Sequence, residues 1–289
     1  GEAGHTLPGL DLAIQSDVPI GAGLSSSAAL EVAVATAWRQ AGGLALDARD
    51  LALLAQHAEN DFVGVACGAM DQLTAALARA GHALLIECAT LETEHVPLTL
   101  SGVSLVIVDS AVRRELSDSP FNRRRQESAE ALAIARRELN RELAGLAMLT
   151  KEDTSRLEPT LGATLLRRVR HVVSEQARVR LAVEALRGGD IEALGQLLWQ
   201  SHASLRDEFE VSCPELDLLV ELAADCEGVL GARLTGAGFG GCTVHLVRAE
   251  ALDAFRGRVV ERYRTETGLP AEAYVVAASD GLHAWPAGR

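Results

Sequence analysis

Lysine is almost missing from this chain of 289 residues: Lys151 is the only one, and arginine carries nearly all of the positive charge. A phosphate loop ending Gly-Lys-[Ser/Thr] is thereby excluded, because no lysine stands at the end of a glycine-rich stretch. Aromatic residues make up only 3%, so Ala, Leu and Val must do most of the packing. The five cysteines, Cys67, Cys88, Cys213, Cys226 and Cys242, include no Cys-x-x-Cys pair, and there is no His-Glu-x-x-His. Zinc sites and a disulfide framework are both disfavoured, and a cytoplasmic, reducing setting is expected. No apolar run approaches the ~18 residues of a membrane span, and no signal-peptide pattern opens the chain. A net charge of −13 disfavours nucleic acid as a partner, since a polyanion would be repelled. ATP is not disfavoured in this way, because local dipoles and a Mg²⁺ ion suffice to hold it.

What the chain does have is a loop, Pro19-Ile20-Gly21-Ala22-Gly23-Leu24-Ser25-Ser26-Ser27-Ala28-Ala29-Leu30, leading into a helix. Two glycines allow a tight turn and a close approach of backbone to ligand. Three hydroxyls and unpaired N–H groups then sit at the positive end of the helix, a combination suited to phosphate. The simpler reading is a strand-to-helix turn capped by one serine. Three consecutive serines weigh against it, because one cap needs one hydroxyl.

Alternation over Leu10–Gln15 predicts a strand ahead of this loop. The loop's helix runs from Ser25 to about Gln40 and ends at Gly42-Gly43. Asp47 reads as the N-cap of a helix in which Leu51, Leu54, Ala55, Ala58 and Phe62 share a face. Residues 64–70 form a connector, and Asp71 opens another helix. Strands are predicted at His82–Glu87, Val103–Asp109, Gly231–Thr235, Cys242–Val247 and Ala273–Ala277. Long Arg-rich helices fall at about Asn122–Leu143, Leu161–Leu186, Ile191–Arg206 and Cys213–Glu227, with a last helix near Ala251–Arg264. The fold class is α+β in two lobes, residues 1–110 and 111–289.

A second loop, Gly236-Ala237-Gly238-Phe239-Gly240-Gly241, matches Gly-x-Gly-x-x-Gly by letter. The β-rich run after it offers no helix N-terminus to a pyrophosphate, so a dinucleotide site is not expected. Its glycines point either to a bare hairpin turn or to backbone pressed against another surface. The run Arg123-Arg124-Arg125 reads as a solvated helix face. His202 and Arg206 stand one helical turn apart, without an assigned role.

Pro19–Ala29 and Leu234–Thr243 resemble the second and third motifs of the GHMP kinases, named for galactokinase, homoserine kinase, mevalonate kinase and phosphomevalonate kinase. Ala58–Gln72, Ser201–Asp207 and Val211–Asp217 are similar to the galactokinase branch in particular. The resemblance covers essentially the whole chain. It implies a two-lobed fold, with a first lobe like ribosomal protein S5 domain 2 and a ferredoxin-like second lobe. It also implies a monomer whose partners are ATP and a small sugar, with phosphorylation of galactose at its anomeric hydroxyl. A kinase for N-acetylgalactosamine or another sugar, and a non-catalytic sugar and ATP sensor, are the alternatives.

Residue by residue, the resemblance implies that Gly21, Ala22, Gly23, Leu24, Ser25, Ser26 and Ser27 hold the ATP phosphates. Ser27 and Glu59 would hold Mg²⁺, and Asp71 would be the catalytic base. Gly68, Asp71 and Phe121 would contact the sugar. Asp71 also has a plain structural reading, as the N-cap of its own helix. In the family a tyrosine usually stands at the place of Phe121, and a glycine at that of Ala237. The family's opening segment, with its arginine and sugar-binding Glu, His and Asp, is not in this sequence. From that difference poor to moderate nucleotide binding and little or no sugar phosphorylation are expected of these residues alone, with aggregation or a molten first lobe.

Overall fold

The computed structural model describes Gly4 and residues 6–64, 67–113 and 120–285. Val65 and Ala66, inside the stretch Ala58–Gln72, lie outside the described residues. The chain divides into two compact units: Gly1–Leu98 with Ala277–Arg289, and Thr99–Val276.

In the first unit, α1 spans Ser26–Gly42 and stops where Gly43 takes a left-handed φ of 59°, its N–H returning to the carbonyls of Arg39 and Gln40. Helix α2 covers Ala48–Ala58, and the Asp47 carboxylate accepts the Asp50 N–H at 2.8 Å as its cap. A π-helical stretch, Glu59–Val63, continues it. Helix α3 comes next at Met70–Leu77, then a hairpin of β1, His82–Glu87, and β2, Glu92–Pro97. The core is built mostly of alanines, Ala52, Ala55, Ala69 and Ala76, together with Val32 and Leu73. Leu282 also packs here, and the Gly281 N–H reaches the Ala78 carbonyl at 2.8 Å.

Two sequence expectations fail in this unit. Leu10–Gln15 forms no strand: among the described residues β1 and β2 pair only with each other, and Leu12 and Ile14 are exposed. Alternation without a partner to bond cannot make a sheet. The buried face of α2 runs Leu51, Ala52, Ala55 and then Glu59, while Phe62 is 92% exposed. The wider π turn beginning at Glu59 rotates the residues after it, so the position that a regular helix would bury falls outside.

In the second unit, β3 (Val103–Asp109) precedes five helices: α4 (Pro120–Leu139), α5 (Lys151–Leu157), α6 (Ala163–Gly188), α7 (Ile191–Ser204) and α8 (Pro214–Ala224). Then come β4 (Val229–Leu234), β5 (Cys242–Arg248), α9 (Leu252–Phe255), α10 (Arg262–Thr267) and β6 (Glu272–Val276). The sheet is antiparallel with order β4-β5-β3-β6, the strand order of the ferredoxin-like lobe that the resemblance implied. Leu219, Phe255, Val259 and Tyr263 pack against Val106 and Val108 as its main core. The division read near residue 110 is corrected here: β3 bonds β5 on one side and β6 on the other, so it belongs to this unit.

Within the triple arginine the expectation of a solvated face also fails at one position. Arg124 donates to the carbonyls of Phe209 and Glu210 and pairs with Glu127, while Arg123 and Arg125 are exposed. Beside it, the almost fully buried Arg168 binds Glu127, Glu210 and the Glu208 carbonyl.

Candidate active site

The loop before α1 turns through Gly21 and Gly23, at φ 74° and 76°, values that glycine adopts freely. Ser25 is also left-handed, at φ 59° and ψ 36°, which costs a non-glycine residue about 1–2 kcal/mol. Ser25 occupies the N-cap of α1, but no side chain there bonds the helix amides, so the simple reading of a turn capped by one serine hydroxyl fails. Among the described residues no side chain accepts from the first amides of this 17-residue helix, as an anion site requires. Ala22 is buried, Leu24, Ser25 and Ser26 are half-buried, and Ser27 is exposed.

The Ser27 hydroxyl donates to Glu59 Oε1 at 2.9 Å. Glu59 is only 8% exposed, placed there because it ends the inward stripe of α2. Its other oxygen, Oε2, accepts the Gln72 side-chain amide and the Cys67 thiol, the latter at 3.3 Å. Gln72 Nε2 also reaches Glu31 Oε2 at 3.2 Å. Burial pushes the Glu31 carboxyl above its ordinary range against the pull of the Gln72 bond, and the Glu59 charge adds to the rise. Burial, the Glu59 bond and the Glu59 charge push the Cys67 thiol up to about 11, so it remains protonated and acts as a donor.

These donors suit a hard cation. Among the described residues no three His, Cys, Asp or Glu side chains converge on a metal position. The described residues therefore supply no protein-only cage, and the nearby sulfur keeps its proton. What is offered is one carboxylate and one hydroxyl, a set that fits Mg²⁺, which keeps waters and takes further oxygens from phosphate.

Asp71 is not the N-cap of α3. That position is Ala69, and Asp71 lies in the first turn, half-buried. Its carboxylate has no hydrogen bond or ion pair among the described residues, which leaves it available to a ligand. Gly68 is exposed, with open space where a Cβ would stand. Phe121, at the second position of α4 in the second unit, is half-buried.

Glu31 and Gln72 escaped the sequence reading as members of this cluster. A signal existed: Ser27 and Glu31 are spaced i, i+4 on α1 and so share a face. His202 proves structural. It is buried, its Nδ1 accepts the Leu234 N–H at 3.2 Å, and its Nε2 lies 3.2 Å from Asp217. Arg206 instead pairs with its neighbour Asp207.

The second glycine loop joins β4 to β5 as a hairpin, which excludes a dinucleotide helix. It is nevertheless pressed against other backbone. A Cβ on Gly238 would stand 2.0 Å from the Val211 carbonyl oxygen, and one on Gly240 would stand 2.8 Å from that of Val112. Ala237 is not among the residues with positive φ, so alanine is unstrained there.

The GHMP kinases N terminal domain family matches residues 1–79, and the GHMP kinases C terminal family matches residues 182–265. A galactokinase of Roseiflexus sp. is 48% identical over 280 residues, 97% of this chain and 71% of that protein. A galactokinase of Thermotoga maritima is 44% identical, with 96% of this chain and 77% of that protein covered. Among solved structures, a Lactococcus lactis galactokinase complexed with galactose superposes with a TM-score of 0.86 at 38% identity, over 92% of this chain and 68% of that one. An L. major mevalonate kinase in complex with R-mevalonate shares the fold, with a TM-score of 0.53 at 21% identity over 89% and 67% of the two chains. The chain belongs to the galactokinase family of GHMP kinases.

Proposed function

We propose that this protein transfers the γ-phosphoryl group of ATP to the anomeric hydroxyl of galactose, forming galactose 1-phosphate. The observation that carries the reading is the pairing of Ser27, at the uncapped start of α1, with the buried Glu59 carboxylate. Galactokinase relatives at this level of identity support it. So does a structural relative whose crystals hold galactose.

In this reading the segment Gly21–Ser27 holds the triphosphate through its amides and hydroxyls, without lysine. Ser27 and Glu59 hold Mg²⁺, which when bound offsets negative charge on the phosphates. Asp71 accepts the proton of the sugar hydroxyl that attacks phosphorus. Its lack of an internal partner suits a base that must meet an external O–H. Gly68, exposed beside Asp71, contacts the sugar.

ADP release by the full-length protein, measured with ATP, Mg²⁺ and a panel including galactose, N-acetylgalactosamine and glucose, tests this reading. Turnover with galactose above the other sugars, with the phosphate on the anomeric oxygen, is expected. Turnover confined to another sugar, or nucleotide binding with no transfer to any, would overturn it.

A further inference from the structure

Gln72 has no part in the chemistry described above, yet its surroundings are unusual for a neutral side chain. It is fully buried in the first turn of α3, directly after Asp71. Its Nε2 faces two carboxylates at once, Glu59 Oε2 and Glu31 Oε2. Its Oε1 has no partner among the described residues. The orientation is dictated by charge: both neighbours only accept, so the NH₂ must face them and the oxygen must turn away. A buried acceptor left unbonded is unfavourable, and a packing role alone would be met better by an apolar side chain of similar volume. The amide therefore does something that Leu or Met would not.

We infer that Gln72 is a positioning residue: by engaging Oε2 of Glu59 it leaves Oε1 turned to the Ser27 hydroxyl, and it keeps the Glu31 and Glu59 charges apart. It thereby sets the affinity of the Ser27–Glu59 pair for a divalent cation carrying a nucleotide. This rests on the kinase reading of that pair. Partners that orient a metal-binding carboxylate are worth about 10- to 100-fold in metal affinity, and an effect of that size is expected here.

The test uses Mn²⁺ as the probe, with a non-hydrolysable ATP analogue and electron paramagnetic resonance to count bound metal. Three variants are compared with the unmodified protein: Gln72→Met, which keeps the volume and removes the donor; Gln72→Met with Glu31→Gln; and Glu59→Gln. The expected result is weakening by about 10- to 100-fold in Gln72→Met, with the ligand-free melting temperature close to that of the unmodified protein. Removing the like charge beside Glu59 in the Glu31→Gln combination recovers most of that loss, which a purely structural defect would not do. Affinity in Gln72→Met equal to that of the unmodified protein, while Glu59→Gln is weakened, overturns the role of Gln72 alone. So does a loss in Gln72→Met that Glu31→Gln does not recover. If Glu59→Gln binds Mn²⁺ and analogue as well as the unmodified protein does, the kinase reading of the pair fails and this inference with it.

Discussion

The Ser27 hydroxyl and the Glu59 carboxylate, 32 positions apart in the chain, meet at 2.9 Å. Because the contact joins the first turn of α1 to the end of α2, neither side chain can be changed without affecting the other. Glu59→Gln is expected to lower kcat by about 100-fold or more, in line with the loss of one preorganised charge at a phosphoryl site. Ser27→Ala costs less, and the double variant is far from multiplicative because the two act as one unit. Steady-state kinetics over a Mg²⁺ titration provide the check; fully multiplicative losses would show that the pair does not act together.

Asp71→Asn is expected to cut kcat by about two to four orders of magnitude. Since Asp71 caps nothing, the melting temperature is expected to stay within a few degrees of the parent. Full activity in that variant removes Asp71 from the reaction.

Gly238→Ala tests the close approach of the second glycine loop. The new Cβ meets the Val211 oxygen at 2.0 Å with the residue held at φ +78°, so both steric contact and backbone conformation oppose it. A loss of more than about 2 kcal/mol in denaturant unfolding is expected. Gly257, where a Cβ meets open space, is the control, and Gly257→Ala is expected to be neutral or mildly stabilising inside the π-helical stretch Arg256–Glu261 that joins α9 to α10.

Arg168→Met leaves Glu127 and Glu210 without their most buried partner. Breaking one side of such a pair costs about 3–5 kcal/mol. Arg124 still contacts both carboxylates, which places the expected loss at the lower end. Thermal unfolding at neutral pH measures it, and a loss no larger than that of a surface arginine would refute the assignment.

Two histidines of the second unit make stability fall on the acid side. Burial lowers His245 to about 3, with the nearby His202 adding to the effect. Burial likewise lowers His171 to about 4, opposed by Glu175 and reinforced by Arg178 and Arg233. Both are neutral in the fold, whereas in the unfolded chain they gain a proton near pH 6.5. The unfolded state therefore binds more protons below that pH, and stability declines as pH drops from 6.5 toward 4. At pH 5 each contributes a loss of about 2 kcal/mol. Melting curves between pH 7.5 and 5 check this, and His245→Gln is expected to reduce the slope.

Elements with local signals were legible in the sequence. Asp47 marked the start of α2 and Gly42-Gly43 the end of α1, because caps depend on one or two residues. The Thr150 and Asp153 capping box of α5 was equally local and was passed over, as was β2, whose Glu92, Glu94 and His95 disguise it. Leu10–Gln15 and Phe62 were misread for different reasons. A strand depends on a partner that alternation cannot supply, and a π turn shifts helical phase without leaving any mark on composition. In the site, Ser27, Glu59 and Asp71 came from family motifs. The contacts of Gln72 and Glu31 required α1, α2 and α3 to be assembled, and no single window of sequence contains all three.

The order β4-β5-β3-β6 has a consequence for biosynthesis. Strand β3 leaves the ribosome before residue 110, but both strands that flank it lie beyond residue 241. More than a hundred residues, most of them helical, must therefore emerge while its edges stay unsatisfied. Contacts this distant in sequence slow folding. A nascent chain stopped short of β5 would expose a bare, apolar strand that other chains could pair with.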